Sequence, residues 1–501
     1  MECYDASQMG ADALVTGLAI IGIVIVVSAL LSGLIDKTGL PHVAAFICIG
    51  AALGPTGLGE FDITLDSPIL RVVATLSLAL VLFTDSVTLN TSEVKRHAGL
   101  AFRMLGPGTI VSATLTALGA WWLLQIPPAS AAILGAALAS TDPVLLRGLL
   151  RRPDISPAAR QALRLESGLN DAVLLPIVVV AIALTGHHIQ GAGSFAKMGL
   201  GLFILGPGAG VAVGLIGVAA LDLIRKRIGV RRDYESLYSL GIALSAFAAA
   251  EAVHGSGFLA AFTAGLTIAA LDVELCDCFI EYGGVTAEML LLFTFVMFGA
   301  SLIWTGFIDL SVPTLIFAAF AILIRVPVYL LSLIGTKVDR RGSLIIAWFG
   351  PSGLSSLLLV LLAVFAGVPG SDRLFSVCSL VVLISIVLHG ASPMLLTRIT
   401  SDDKPEEPLP ELEPEPVPAS RSLPVVESTQ QVGTQSISLE ELDQVQKSGE
   451  EVIIVDARTE RSRDTSDFQS KGSVRVVPEN VVLQARKLNL PKEAWLIVYC
   501  A

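Results

Sequence analysis

The chain has 501 residues, 53% of them hydrophobic and only 15% charged, with a mean hydropathy of +0.74. Soluble domains carry about 25% charged residues, so an ordinary globular fold is excluded, and a net charge of −11 excludes a nucleic-acid binder, which needs a basic face. The charge is unevenly spread: residues 1–400 hold 22 basic and 25 acidic side chains (net −3), and residues 401–501 hold 11 and 19 (net −8). An apolar body with a short acidic tail is the organisation of a membrane protein with an appendix.

Apolar stretches of about 18–27 residues, the length that spans a bilayer, recur near 14–35, 41–58, 69–89, 98–124, 129–150, 161–186 and 197–224. They continue near 235–254, 256–271, 285–305, 311–334, 342–368 and 373–397. These thirteen predict an all-α polytopic membrane domain over residues 1–399. No Lys or Arg precedes Lys37, so the first stretch lacks the basic start of a signal peptide and is expected to stay as a helix. With the N-terminus outside, the inner loops hold eighteen basic residues, among them Arg147, Arg151, Arg152, Arg225, Lys226 and Arg227. The outer loops hold three, Arg71, Lys197 and Arg373. That asymmetry sets the C-terminal tail in the cytoplasm.

Six cysteines make no disulfide framework. Cys48 and Cys378 sit in apolar runs as small hydrophobes, and Cys276-x-Cys278 lacks the second pair or nearby His that a metal site would need. No cofactor is expected.

An ionisable group at mid-membrane costs at least about 2.5–3.5 kcal/mol, so each one is a candidate for function. The candidates are Asp85, Asp142, Glu166, Asn170, Asp171 and Arg325. In the fifth stretch, Thr141-Asp142-Pro143 places a proline at mid-span, where it removes a backbone hydrogen bond and breaks the helix. Phe349-Gly350-Pro351-Ser352-Gly353 interrupts the twelfth in the same manner. Two interrupted spans in two halves predict an inverted-repeat transporter.

In the sixth stretch, Ser167 and Asp171 share one helical stripe, and Glu166 and Asn170 the adjacent one. Asp171 falls near the midplane. A carboxylate with hydroxyls from Ser167 and Thr141 is a set of hard oxygen ligands suited to a small alkali cation such as sodium. Glu166 needs a cation of its own, and Arg325, the one basic residue in the middle of an apolar stretch, is assigned to it as a structural clamp.

The motifs Thr141-Asp142-Pro143, Glu166-Ser167-x-x-Asn170-Asp171, Arg325, Phe83-Thr84-Asp85 and His389-Gly390 resemble the monovalent cation/proton antiporter family, in its sodium/proton exchanger branch. The resemblance runs over roughly residues 10–400. It implies that Asp171 carries the cation or the proton, that Thr141 and Ser167 help coordinate the ion, and that Asn170 steadies the site. Glu166 and Arg325 would form the internal ion pair, Asp142 would balance the dipoles of the broken helix, and Asp85 would line an access funnel or end its helix. A homodimer in the cell (plasma or inner) membrane is implied as well. One departure is Ser352, between Pro351 and Gly353, where many relatives carry Gly-x-Arg-Gly.

One titrating carboxylate cannot hold a proton and a cation together, so competition at Asp171 with alternating access suffices for exchange. Asn170 in place of a second Asp predicts one cation per proton and electroneutral transport. Potassium/proton exchange is the alternative within the class. An intramembrane protease using Asp142 and Asp171 would not need Glu166, Asn170 and Arg325, and a channel would not need proton competition.

Residues 400–436 form a Pro/Glu-rich, self-repelling linker. Residues 437–501 resemble the first two-thirds of a rhodanese-like domain, with a predicted helix from Ser438, a strand at 452–458 bearing Asp456-x-Arg458, and Cys500 at the position of the family's persulfide cysteine. One residue follows Cys500, so the anion-cradling loop is expected to be absent and the segment to be a regulatory, vestigial or truncated module, a membrane-anchored sulfurtransferase resting on Cys500 being the remote alternative.

Overall fold

The structure, a computed structural model, describes residues 42–401 apart from 56, 60–62, 90–93, 95, 151–154, 186–191, 228–231, 272–276, 309 and 337. It also describes residues 22 and 26, and in the tail 452–457, 473–476 and 495–499. The chain divides into two compact units, 1–407 and 408–501.

The described regular elements of the first unit are all helices. In order come α1 (His42–Leu53), α2 (Pro68–Val87), α3 (Ala98–Leu124), α4 (Pro128–Ala139), α5 (Pro143–Leu150) and α6 (Pro157–Thr185). Then follow α7 (Ala192–Leu200), α8 (Gly206–Arg227), α9 (Arg232–Ala252), α10 (Gly257–Ala270) and α11 (Asp277–Ala300). The last four are α12 (Val312–Ser332), α13 (Arg340–Trp348), α14 (Leu354–Phe365) and α15 (Ser371–Ser401). Among the described residues, six helical segments are long and apolar enough to cross a membrane, in α2, α3, α6, α7–α8, α12 and α15. Apart from residues 22 and 26, the apolar stretch at 14–35 lies outside the described residues.

Helices deform beside several prolines, although α6 and α12 run unbroken through Pro176 and Pro327. Gly106-Pro107-Gly108 lies in a wide, π-helical turn of α3 (Met104–Ile110), because proline donates no N–H to the ladder. A second π-helical turn, Gly201–Leu205, joins α7 to α8 just before Gly206-Pro207-Gly208. In the breaks at Pro143 and Pro351 the helix stops outright, leaving α4–α5 and α13–α14 as two pairs of half-helices.

The largest buried cluster joins α1, α2, α4, α6, α11, α14 and α15 around Leu70, Phe295, Phe298 and Phe375. A second, alanine-rich cluster (Ala79, Ala243, Ala246, Ala260 and Ala264) brings α2, α9 and α10 close together. In lipid, where apolar burial drives little association, small residues let helix backbones approach closely. A third cluster, with Met104, Leu163, Tyr329 and Phe349, closes one side of the polar site.

In the second unit, β1 (Val452–Asp456), β2 (Val474–Arg475) and β3 (Trp495–Tyr499) form a parallel sheet in the order β2-β1-β3. Val455 pairs with Val474 and Val498, and Asp456 is buried at the end of the central strand. The linker, the helix expected from Ser438, Arg458 and Cys500 lie outside the described residues, as do the side chains of the Cys276-x-Cys278 pair.

Candidate functional site

The two chain breaks lie against each other. The Asp142 N–H donates to the Pro351 carbonyl at 2.9 Å, and the Ser352 hydroxyl donates to the Leu138 carbonyl at 2.9 Å. The Leu354 N–H, at the start of α14, donates to Asp142 Oδ2 at 2.8 Å. Each break thus supplies partners for backbone groups that the other leaves without a helical bond. A carboxylate at the N-terminus of a half-helix also faces the positive end of its dipole. Glycine is required here: a Cβ on Gly353 would lie 2.1 Å from Asp142 Oδ2, and one on Gly350 would lie 1.9 Å from Arg325 Nε.

On one side of the crossing, Arg325 of α12 and Glu166 of α6 form a two-pronged ion pair. Nη1 donates to Oε1 at 3.1 Å and Nη2 to Oε2 at 2.9 Å, with both residues buried. The planar guanidinium fits a carboxylate in this way and lysine could not. Tyr329, one turn along α12, donates from its hydroxyl to Glu166 Oε1 at 3.1 Å, and its ring lies 3.9 Å below the guanidinium carbon. Thr141 donates to the same Oε1 at 2.7 Å and lies 3.3 Å from Arg325 Nη1. Thr109 of α3 completes the network, 3.0 Å from the Tyr329 hydroxyl.

On the other side lies Asp171, where the structure differs from the sequence expectation. The hydroxyl that donates to Asp171 Oδ1 belongs to Ser140, while Thr141 is turned to the ion pair. The reason is local: Ser140 is extended (φ −70°, ψ 131°), and successive side chains of an extended backbone point to opposite sides. Ser355, in the first turn of α14, also faces this carboxylate, without closing a hydrogen bond to Oδ2, which is buried and unpartnered. Ser167 lies one turn away on α6, where its hydroxyl donates back to the Arg164 carbonyl at 3.4 Å. Asn170 is fully buried and neither atom of its amide has a hydrogen-bond partner.

Asp85 is half-buried in the last turn of α2, one turn before Leu89, whose side chain lies against Gly168 of α6. His389 of α15 accounts for further exposed backbone at the second break. Ser352 N–H donates to Ser385 Oγ at 3.0 Å, and Ser385 Oγ is 3.1 Å from His389 Nδ1. His389 Nε2 is 3.1 Å from the Trp348 carbonyl at the end of α13. His389 Nδ1 also lies 3.0 Å from the Ser385 carbonyl.

A family model described as "Sodium/hydrogen exchanger, transmembrane" matches residues 23–397. The chain belongs to the sodium/hydrogen exchanger family. It is therefore an integral membrane protein and a monovalent cation/proton antiporter rather than an enzyme. Among its relatives is the K(+)/H(+) antiporter NhaP of Alkalimonas amylolytica, 25% identical over 392 residues, covering 77% of this chain and 67% of that one. Another is the K(+)/H(+) antiporter NhaP2 of Shewanella sp. (strain MR-4), 27% identical over 410 residues, covering 80% and 70%. The sodium proton antiporter MjNhaP1 of Methanocaldococcus jannaschii, solved at pH 8, has the same fold, with a TM-score of 0.62 at 20% identity over 75% of this chain and 99% of that one.

Proposed function

We propose that the membrane unit of this exchanger moves sodium (or lithium) against protons, one for one, by competition at Asp171. The observation that carries this is how the three buried acids of the crossing are committed. Glu166 is neutralised by Arg325, and Asp142 is bound to the start of α14. Asp171 keeps one oxygen, Oδ2, with no protein partner. A buried carboxylate in that condition is unfavourable unless it takes up a proton or a cation, and it cannot hold both. With one exchanging charge, the loaded and protonated carriers have the same net charge, so transport is electroneutral.

In this reading the Glu166–Arg325 pair, with Thr141 and Tyr329, is a fixed clamp between α6 and α12, and Asp142 holds the half-helix ends together. Asn170 precedes the exchanging residue on α6 with its amide unpartnered, and Ser167 lies one turn away. Asp85 lines the approach. The loop charges support an outside N-terminus and a cytoplasmic tail, and we take the protein to act as a homodimer in the cell membrane. The Pro/Glu-rich segment of residues 400–436 precedes residues 437–501, which we read as rhodanese-like.

A second reading has a specific support: relatives at 25–27% identity are named potassium/proton antiporters. Hard oxygen ligands serve either ion. The test is cation-driven proton efflux from proteoliposomes with sodium, lithium and potassium in turn, at zero and imposed membrane voltage. The proposal expects saturable efflux with sodium or lithium that ignores the voltage. Efflux with potassium alone establishes the second reading, and voltage-driven flux removes the one-for-one stoichiometry.

A further inference from the structure

Two hydroxyls that no sequence motif singled out converge on Asp171 from the two broken helices. Ser140 donates to it from the extended link after α4, and Ser355 faces it from the first turn of α14 without closing a hydrogen bond. Both are buried. Their backbones are locked together on either side: Leu354 N–H donates to Asp142 Oδ2, and the Ser356 hydroxyl donates to the Ser140 carbonyl at 3.4 Å. On α6 two successive buried side chains keep unsatisfied polar atoms, Asp171 Oδ2 and the whole amide of Asn170. A buried polar atom without a partner costs about 1–3 kcal/mol, so such a cluster in a packed core marks a place where a ligand supplies the missing contacts. By contrast, the Thr141 hydroxyl already serves the ion pair and that of Ser167 serves its own helix.

We propose that Ser140 and Ser355 are cation ligands that set ion specificity, completing with Asp171 and the Asn170 carbonyl oxygen a cage of hard oxygen donors drawn from both broken helices. This deepens the reading of Asp171 as the exchanging carboxylate and rests on it. A dehydrated alkali cation takes several oxygen ligands, and selectivity follows from cage size and ligand number. Because Ser140 belongs to one break and Ser355 to the other, their separation sets that size.

The test is proteoliposome exchange by Ser355→Ala, Ser140→Ala and Ser355→Thr, with sodium, lithium, potassium and rubidium chlorides over a pH series. Loss of one ligand should raise the KM for the preferred cation about tenfold, the equivalent of about 1.4 kcal/mol. It should change kcat less and alter the ratio of kcat/KM between cations. Ser355→Thr, which keeps the hydroxyl, should recover most of the KM. If Ser355→Ala is poorly folded, Ser355→Cys keeps the volume and replaces a hard oxygen by soft sulfur, and the same shift is expected. Unchanged KM and ion ratios in both serine positions, or a fall in kcat that is equal for every cation, would overturn the proposal. Asp171→Asn, run alongside, separates the two levels: exchange persisting there removes the underlying reading, whereas an inert Asp171→Asn beside unaltered serine variants removes this inference alone.

Discussion

The side chain of Asp142 accepts the Leu354 N–H at 2.8 Å, so an acid following one broken helix caps the first turn of the other. The bond joins residues 212 apart in sequence, and the Asp142 N–H to Pro351 carbonyl bond runs beside it. The two breaks are held as one unit, and movement at the site must carry both.

Asp142→Ala should therefore destabilise the membrane unit by about 2 kcal/mol, the worth of a buried hydrogen bond to a charged group. Asp142→Asn retains an accepting oxygen and should lose less. Thermal unfolding of the detergent-solubilised protein, followed by tryptophan fluorescence, ranks the three; equal melting temperatures would contradict the capping role.

Arg325→Ala leaves Glu166 charged and unpaired, at a cost of about 3–5 kcal/mol. Pairing Glu166→Gln with Arg325→Met removes both charges and should cost less than the sum of the two single changes. A double-mutant cycle on unfolding reads this as a coupling energy. Additive effects would mean that the ion pair is not the unit the geometry makes it.

How far the sequence disclosed this site depends on what each residue costs. Glu166, Arg325, Asp142 and Asp171 were legible because a charge in an apolar stretch demands an explanation, and the breaks were legible because proline cannot continue a helical ladder. Ser140, Ser355, Tyr329 and Thr109 gave no signal. Hydroxyls are common in apolar helices, where they bond their own carbonyls cheaply, and only the extended geometry at Ser140 decides that it rather than Thr141 meets Asp171. The wide turns at Pro107 and before Pro207 were likewise hidden, since a proline in an apolar stretch can kink, break or widen a helix. Chain reversal at the crossing, not sequence spacing, brings Ser355 to a carboxylate 184 positions before it.

Gly353→Ala and Gly350→Ala would each drive a methyl group into a buried charged side chain, at 2.1 Å and 1.9 Å. Both should abolish exchange and lower the yield of monodisperse protein. Gly208→Ala, with nothing within 4 Å of the added carbon, should be neutral in the same size-exclusion and transport assays. Functional Gly353→Ala protein would mean that the crossing is looser than the structure has it.

Outside the apolar segments, Asp339 caps α13, accepting the Gly342 N–H at 3.0 Å and the Ser156 hydroxyl at 3.0 Å. The Gly342 N–H first, and then Ser156, hold its carboxyl below the usual carboxylate range. A depressed folded-state pKa contributes stability that is present above about pH 4, the unfolded value, and fades as pH falls through the lower folded value. Asp339→Ala should melt below wild type at pH 7, with the gap closing under pH 4. A gap independent of pH would assign the effect to packing.

The central claim is that one carboxylate carries both substrates. The most direct measurement is cation-driven proton efflux from proteoliposomes containing wild type or Asp171→Asn, over pH 6 to 9, beside a folding control by fluorescence. The account predicts efflux by the wild type, with an apparent cation affinity that falls as protons compete at lower pH, and no exchange by folded Asp171→Asn. Proton-coupled exchange by Asp171→Asn would contradict it.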